Sequence, residues 1–199
     1  MLKTFTQRSS REQTRERILA KTDELVRYYG FAKTTVADIA AALKMSPANI
    51  YKFFPSKDAL IQAVAELKVA EVKRSLEDVI SSSPGALARL EGLALTIFRW
   101  LSQYSRHQPQ LFQLVLAANA EHWACVEDFK QFLSQKITEI IKAGAQTGEF
   151  QISDVGATAA VLIDCMAIVI EPSASPDPKN RLTEKRVRAV VEFLGRALR

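Results

Sequence analysis

The sequence predicts an all-α chain of about nine helices, and three observations carry that expectation. Glycine is scarce, with seven in 199 residues. Nearly every long segment repeats its apolar residues at helical spacing, and no strand-like alternation competes with it. Ser, Thr or Pro stands where most of these segments begin, at positions where the free N–H groups of a helix need an acceptor or are better absent. A hydrophobic content of 48% with 25% charged residues is ordinary for a globular chain that buries a core.

The elements follow in order. Ser10 to Gln13 reads as a capping box, after which Ile18, Leu19, Leu25, Val26 and Tyr29 form one apolar stripe that stops at Gly30. Thr35 with Asp38 repeats the start signal, and Val36, Ile39, Ala40 and Leu43 supply the inner face of a short second helix. Lys44-Met45 interrupts it. Ser46 then caps a third helix, with Pro47 in the first helical position; it is expected to last about two turns and to end near Phe54-Pro55, because a residue before proline is pushed out of α geometry. Ser56 caps a fourth helix running to about Ile80, before the break Ser81-Ser82-Ser83-Pro84-Gly85. Further helices are expected near 86–105, 109–121, 124–147, 154–171 and 181–198, with linkers at Gln146–Ser153 and Pro172–Asn180. No repeat at solenoid periods is present.

The formal net charge of +5 is unevenly spread. Residues 1–57 hold 11 lysines and arginines against 5 acidic residues, whereas the remainder holds 16 against 17. A basic segment on a neutral body suits a polyanion partner, since neutralising phosphates supplies most non-specific affinity for nucleic acid. Cys125 and Cys165 lie too far apart for a metal or redox motif and are expected to be reduced core thiols. The longest apolar stretch, Ala157 to Ile170, contains Asp164 and falls short of the roughly 18 to 20 residues of a membrane span. The N-terminal MLKTFTQRSSREQTRER has no apolar run after its charged start, so a cytoplasmic location is expected.

Residues 30–60 carry the functional signal. Two short helices joined by a three- or four-residue turn need a third to pack them, and the first helix supplies it. In such a unit the last short helix enters the major groove N-terminus first. With Ile50 and Phe53 or Phe54 turned inward, Pro47, Ala48, Asn49, Tyr51 and Lys52 face outward. Small residues at 47 and 48 allow close approach of the backbone to base edges; Asn49 suits an adenine edge, and Lys52 a guanine or a phosphate.

The spacing T-T-V-x-x-I-A followed by M-S-x-x-x-I-Y-x-F-F-x-S-K-x-x-L, within roughly residues 12 to 65, resembles the TetR family of one-component bacterial regulators. The resemblance implies a helix-turn-helix DNA-binding domain over residues 1–57, with the motif at about 35–54, and a helical effector-binding and dimerisation domain over 58–199. It implies that Thr35, Tyr51 and Lys57 hold the DNA backbone. Thr35 and Lys57 also stand at helix N-termini, where free N–H groups and the dipole attract phosphate. The candidate DNA-contacting set is Thr34, Thr35, Ser46, Pro47, Ala48, Asn49, Tyr51, Lys52 and Lys57. Two departures from the family pattern stand out. Lys44 takes the turn position where Gly is common, and Pro47-Ala48-Asn49 replaces a basic-Gly-Thr type of sequence, so base preference does not transfer.

For the C-terminal part the resemblance implies dimerisation and ligand sensing. Val187, Val190, Val191, Leu194, Ala197 and Leu198 make a stripe, and the segment Val155 to Ile170 is apolar nearly all round, as a helix buried on both sides should be. The expected interface is Val155, Ile163, Ile170, Val187, Val190, Val191, Leu194 and Leu198, paired across a two-fold axis as four helices. Candidate ligand-pocket walls are Phe98, Trp100, Leu101, Tyr104, Phe112, Leu116, Trp123, Phe129 and Phe132. Glu121, His122 and Cys125 share a stretch of chain but lack a second pair of metal ligands, and read as ordinary surface and core residues. The expected partners are a palindromic double-stranded operator, a second copy of the chain and a small-molecule effector, without cofactor or membrane. Two other readings are a DNA-binding dimer with no effector and an all-helical enzyme; the second lacks any H-E-x-x-H, G-x-G-x-x-G, P-loop or G-x-S-x-G motif, and His107 and His122 have no evident catalytic partner.

Overall fold

A computed structural model describes residues 10–170 and 182–199, so the expected linker Pro172–Asn180 lies outside the described residues. Among those described there are nine α-helices and no strand: α1 Ser10–Tyr29, α2 Val36–Ala42, α3 Pro47–Tyr51, α4 Lys57–Ser82, α5 Ala86–His107, α6 Pro109–Ala120, α7 Ala124–Gln146, α8 Val155–Ile170 and α9 Glu184–Ala197. No described helix is long and apolar enough to cross a membrane.

Local chemistry accounts for most of the starts. Thr35 Oγ1 accepts from the Asp38 N–H while Asp38 Oδ2 accepts from the Thr35 N–H, a complete capping box at α2. Ser46 and Ser56 each accept from the N–H three residues on. Gly30 closes α1 with φ +84, a left-handed position that glycine takes without steric cost. Some expectations need correction. Ser10 is already helical rather than the cap of α1. Tyr29 is exposed, and the buried stripe of α1 is Ile18, Leu19, Thr22, Asp23 and Val26. Helix α3 is a single turn and a half ending at Tyr51, because both the Phe53 and Phe54 N–H groups converge on the Ile50 carbonyl and tighten the chain before Pro55.

Two apolar cores result. One joins Ile18, Leu19 and Val26 of α1, the inner faces of α2 and α3, and Leu60 to Ala65 of α4, and takes in Tyr104, Leu111 and Leu114 from α5 and α6. The other fills the space between α4, α5, α7, α8 and α9 around Leu76, Leu90, Leu93, Ile137 and Ile141. Gly144 belongs to that second core. A Cβ there would stand 2.3 Å from the Phe150 ring, so glycine is what lets the chain after α7 fold back. The start of α5 has no cap of its own; instead the Glu149 carboxylate, beyond the end of α7, accepts from the Ala86 and Leu87 N–H groups at 2.7 and 2.9 Å.

Candidate nucleic-acid interface and ligand cavity

The outward side of the head is built from α3 and the two helix starts beside it. Ile50 at 1% exposure and Phe54 at 3% anchor α3, which leaves Ser46, Pro47, Ala48 and Lys52 exposed, Tyr51 half-exposed and Asn49 partly so. Thr35 is exposed at the start of α2, its hydroxyl 2.6 Å from Asp38 Oδ2. Lys33, Lys44 and Lys52 are exposed on the same small unit. Eight of the nine sequence-derived contact residues therefore reach solvent to some degree.

Thr34 does not. It is 1% exposed, and its hydroxyl donates to the Gly30 carbonyl at 2.9 Å, so the residue closes the α1–α2 turn. Its neighbour Thr35 carries the exposed hydroxyl because the extended backbone at the cap turns successive side chains to opposite sides.

Lys57 holds a further element of the head. Its Nζ donates to the Ala32 carbonyl at 2.8 Å, which ties the first turn of α4 to the α1–α2 turn and parks a positive charge at a helix N-terminus. Arg11 and Arg15 lie over the Phe53 and Phe54 rings at 5.9 and 4.9 Å, holding the start of α1 against the end of α3. Neither arginine could be assigned from spacing, since the contacts join residues 39 and 42 apart. Lys44 adopts φ +56, so a side chain does occupy a left-handed turn position.

The body encloses a cavity of ≈ 220 Å³ between α4, α5, α6, α7 and α8. Trp100, Leu101, Tyr104 and Phe129 line it, as the aromatic stripes suggest. The other five sequence candidates do not. Phe98 is spent in the second core and Phe112 packs on the first. Leu116 is off the wall, and Trp123 turns to donate its indole N–H to Glu121 at 2.9 Å. Phe132 stacks outside Phe129 beneath the Lys73 and Lys136 ammoniums. Sequence reasoning missed Lys68, Asn119, Lys130, Ile163 and the small residues Ala65, Ala118 and Ala167 on the wall. Small residues are the signal that was there to read, since a void needs short side chains on some of its walls. The Cys125 thiol is on the wall too, its pKa raised by burial and by Glu66. Among the described residues no group of three metal-ligating side chains forms; His122 Nδ1 faces Glu127.

Residues 18–64 match the profile described as bacterial regulatory proteins, tetR family, and residues 86–191 match the tetracyclin repressor-like C-terminal domain. The chain belongs to the TetR family. Over 120 residues it is 31% identical to YvaF, an uncharacterised HTH-type transcriptional regulator of Bacillus subtilis, an alignment covering 56% of this chain and 63% of that relative. Its fold is shared by a TetR-family transcriptional regulator of Pectobacterium atrosepticum, at 22% identity and TM-score 0.72 over 96% of this chain and 97% of the other. It is shared too by a protein of Saccharomonospora viridis in complex with choline, at 19% identity and TM-score 0.68 over 92% and 95%.

In this TetR-family chain the cavity and the head touch through charge. Lys68, 4% exposed, lines the cavity from α4 and places Nζ 3.1 Å from Asp23 Oδ2 of α1 and 3.1 Å from Glu71 Oε1. Arg27 completes the group, 2.6 Å from the same Asp23 oxygen, while Asp23 Oδ1 is buried without a partner. Tyr104, also on the wall, has its pKa pushed up to about 12 by burial and by Glu71.

The outer faces of α8 and α9 differ from expectation. Val187, Val191 and Leu198 are buried in the protomer's own core, Val155 and Leu194 pack partly against it, and Ile163 lies on the cavity wall. The side chain of Ile170 lies outside those described, and Val190 is half-buried. What α8 and α9 turn outward instead is Val161 at 62% exposure and Phe193 at 72%, flanked by Ala157, Ala160, Cys165, Ala189 and Ala197. Cys165 is thus an exposed thiol rather than a core one.

Proposed function

We propose that this protein is a dimeric, sequence-specific DNA-binding transcriptional regulator, a repressor released when a small molecule enters the cavity of the body. The observation that carries the reading is α3: its inner residues are buried, its outer face from Ser46 to Lys52 is free, and exposed lysines surround it. A short helix flanked by lysines and presented N-terminus first on a packed support has the shape and surroundings to enter a major groove. Tyr51, Thr35 and Lys57 are the phosphate-holding groups in this reading. Lys57 reaches phosphate while keeping its bond to Ala32, since an ammonium has three donors.

The exposed apolar side chains Val161 on α8 and Phe193 on α9 support pairing with a second copy, which a two-half-site operator requires. The cavity supports control by a small molecule, and the choline carried by the Saccharomonospora viridis protein is an example of such a guest in the same fold. Signal passes along α4, whose first turn belongs to the head and whose middle, at Lys68, is both cavity wall and anchor of α1. Coupling of this kind is reciprocal: operator binding weakens effector binding by the same factor.

The test is selection of bound sequences from random duplexes over a salt series, with solution mass measured alongside. A palindromic site and a steep negative salt slope are expected, and Lys57→Ala flattens the slope by about one unit without altering the preferred sequence. A monomer indifferent to duplexes defeats the reading.

A further inference from the structure

We propose that the cavity takes a neutral aromatic molecule about one ring in size, whose single polar group meets the Tyr104 hydroxyl. The proposal rests on the effector reading above and narrows it by charge, size and hydrogen-bonding capacity.

Charge is the sharpest constraint. Two lysines and no carboxylate stand on the wall, yet neither ammonium is available. Lys68 gives its charge to Asp23 and Glu71, and Lys130 donates to Glu127 at 2.9 Å, so both contribute mainly their carbon stems and the inner surface is almost wholly carbon. A cationic guest finds no carboxylate on the wall to pair with directly. An anionic guest must displace Asp23 or Glu71 from a buried ion pair, or lose its hydration against carbon, and either is costly. Only a neutral molecule enters without a charge penalty.

Size comes next. A cavity of about 150 Å³ lined by aliphatic and aromatic side chains accommodates benzene. At ≈ 220 Å³ this one has room for a ring with a short substituent. Trp100 and Tyr104 meet edge to face at 4.5 Å, and Phe129 is on the same wall, a corner suited to a third ring in offset or edge contact.

The polar group is set by Tyr104. The residue is 6% exposed, lines the cavity, and its hydroxyl has no hydrogen-bond partner among the described residues. Unlike Asp23 Oδ1, this oxygen is not sealed from solvent, so a guest's oxygen can bond it in place of water. Burial and Glu71 keep this phenol protonated throughout the physiological range, so it is a donor as well as an acceptor.

The experiment uses the purified full-length protein and four probes on one scaffold: ethylbenzene, 4-ethylphenol, 4-ethylbenzoate and 4-ethylbenzylamine, each titrated calorimetrically at pH 7. The phenol is expected to bind at least about tenfold more tightly than either charged probe, a difference of about 1.4 kcal/mol. Tyr104→Phe, checked for an unchanged thermal midpoint, should weaken 4-ethylphenol by roughly three- to tenfold and leave ethylbenzene within about twofold. A charged probe binding as tightly as the phenol, equal losses for phenol and hydrocarbon in the variant, or no binding by any of the four at millimolar concentration overturns the proposal. A protein that selects a palindrome but prefers 4-ethylbenzoate keeps the regulator reading and loses this one. A protein that takes 4-ethylphenol yet ignores every duplex does the reverse.

Discussion

Thr35 opens α2 and Glu149 opens α5, and the two caps differ in how far along the chain they reach. The first joins residues three apart; the second joins residues 62 and 63 apart. The head uses the near kind at α2, α3 and α4, with Thr35, Ser46 and Ser56 each satisfying an N–H of the helix it precedes. Helices of seven and five residues have almost no stability of their own, so the head needs these bonds together with a shared core to present α3 as a fixed object. The body has long helices that persist with less local help. It has near caps too, Asp154 on α8 and Thr183 on α9, and adds distant contacts, such as Glu149 on α5 and Lys68 on Asp23, that set where helices sit around a void. Head and body thus differ in how far their capping contacts reach, and the seam between them is a buried ion group.

The largest effect tests that seam. If head and body were separate units, Lys68→Met would change little. Because it leaves Asp23 buried with Arg27 alone, it is expected to destabilise the protein by roughly 2–4 kcal/mol, at the low end of what breaking a buried pair costs. Adding Asp23→Leu should recover most of that loss, and urea unfolding of the single and double variants decides it. Failure of the double variant to recover anything would assign the loss to packing rather than charge.

A smaller effect tests the long-range cap. Hydrogen bonds from the Leu87 and Ala86 N–H groups hold the Glu149 carboxyl below its usual pKa. A carboxylate with a lowered folded-state pKa stabilises above its unfolded pKa, and that contribution disappears as pH falls through the folded value. Glu149→Gln should therefore lower the midpoint of thermal unfolding at pH 7 by about 2–4 °C, corresponding to about 1 kcal/mol in a chain of this size. Below about pH 4, where an ordinary carboxylate protonates, the gap should shrink. An equal gap at both pH values would mean that the charge is irrelevant.

The smallest effect lies in the head. Lys44 at φ +56 is strained by about 1–2 kcal/mol relative to glycine, and the greater freedom of glycine in the unfolded chain offsets roughly 0.5–1 of this. Lys44→Gly is thus expected to stabilise by a few tenths to about 1 kcal/mol. Loss of stability in chemical denaturation would show that the Lys44 side chain makes a contact worth more than the strain.

Legibility in the sequence follows the same division. The starts of α2, α3 and α4 were readable because the cap and the group it satisfies lie within four residues of each other. The outward set from Ser46 to Lys52 was readable because α3 hangs on two inward residues, Ile50 and Phe54. Thr34 was misread because two adjacent threonines look equivalent until the Gly30 turn assigns one of them inward. In the body, aromatic spacing picked out Trp100 and Tyr104, which line the cavity, but could not separate them from Phe98, which shares the helix and faces a filled core. Val187, Val191 and Leu198 have the pattern of an interface stripe. A helix packed on α5 shows the same pattern, and that is where they went.

Periodicity and capping chemistry act within about a turn of chain, so the sequence alone determined the helices, their order and the motif of the head, and with these the family. Which face of α9 is consumed internally, which side chains border the cavity, and which distant carboxylate completes α5 depend on where helices lie relative to one another. Those arrangements are set by burying apolar area jointly among many elements, and no window of sequence contains that sum.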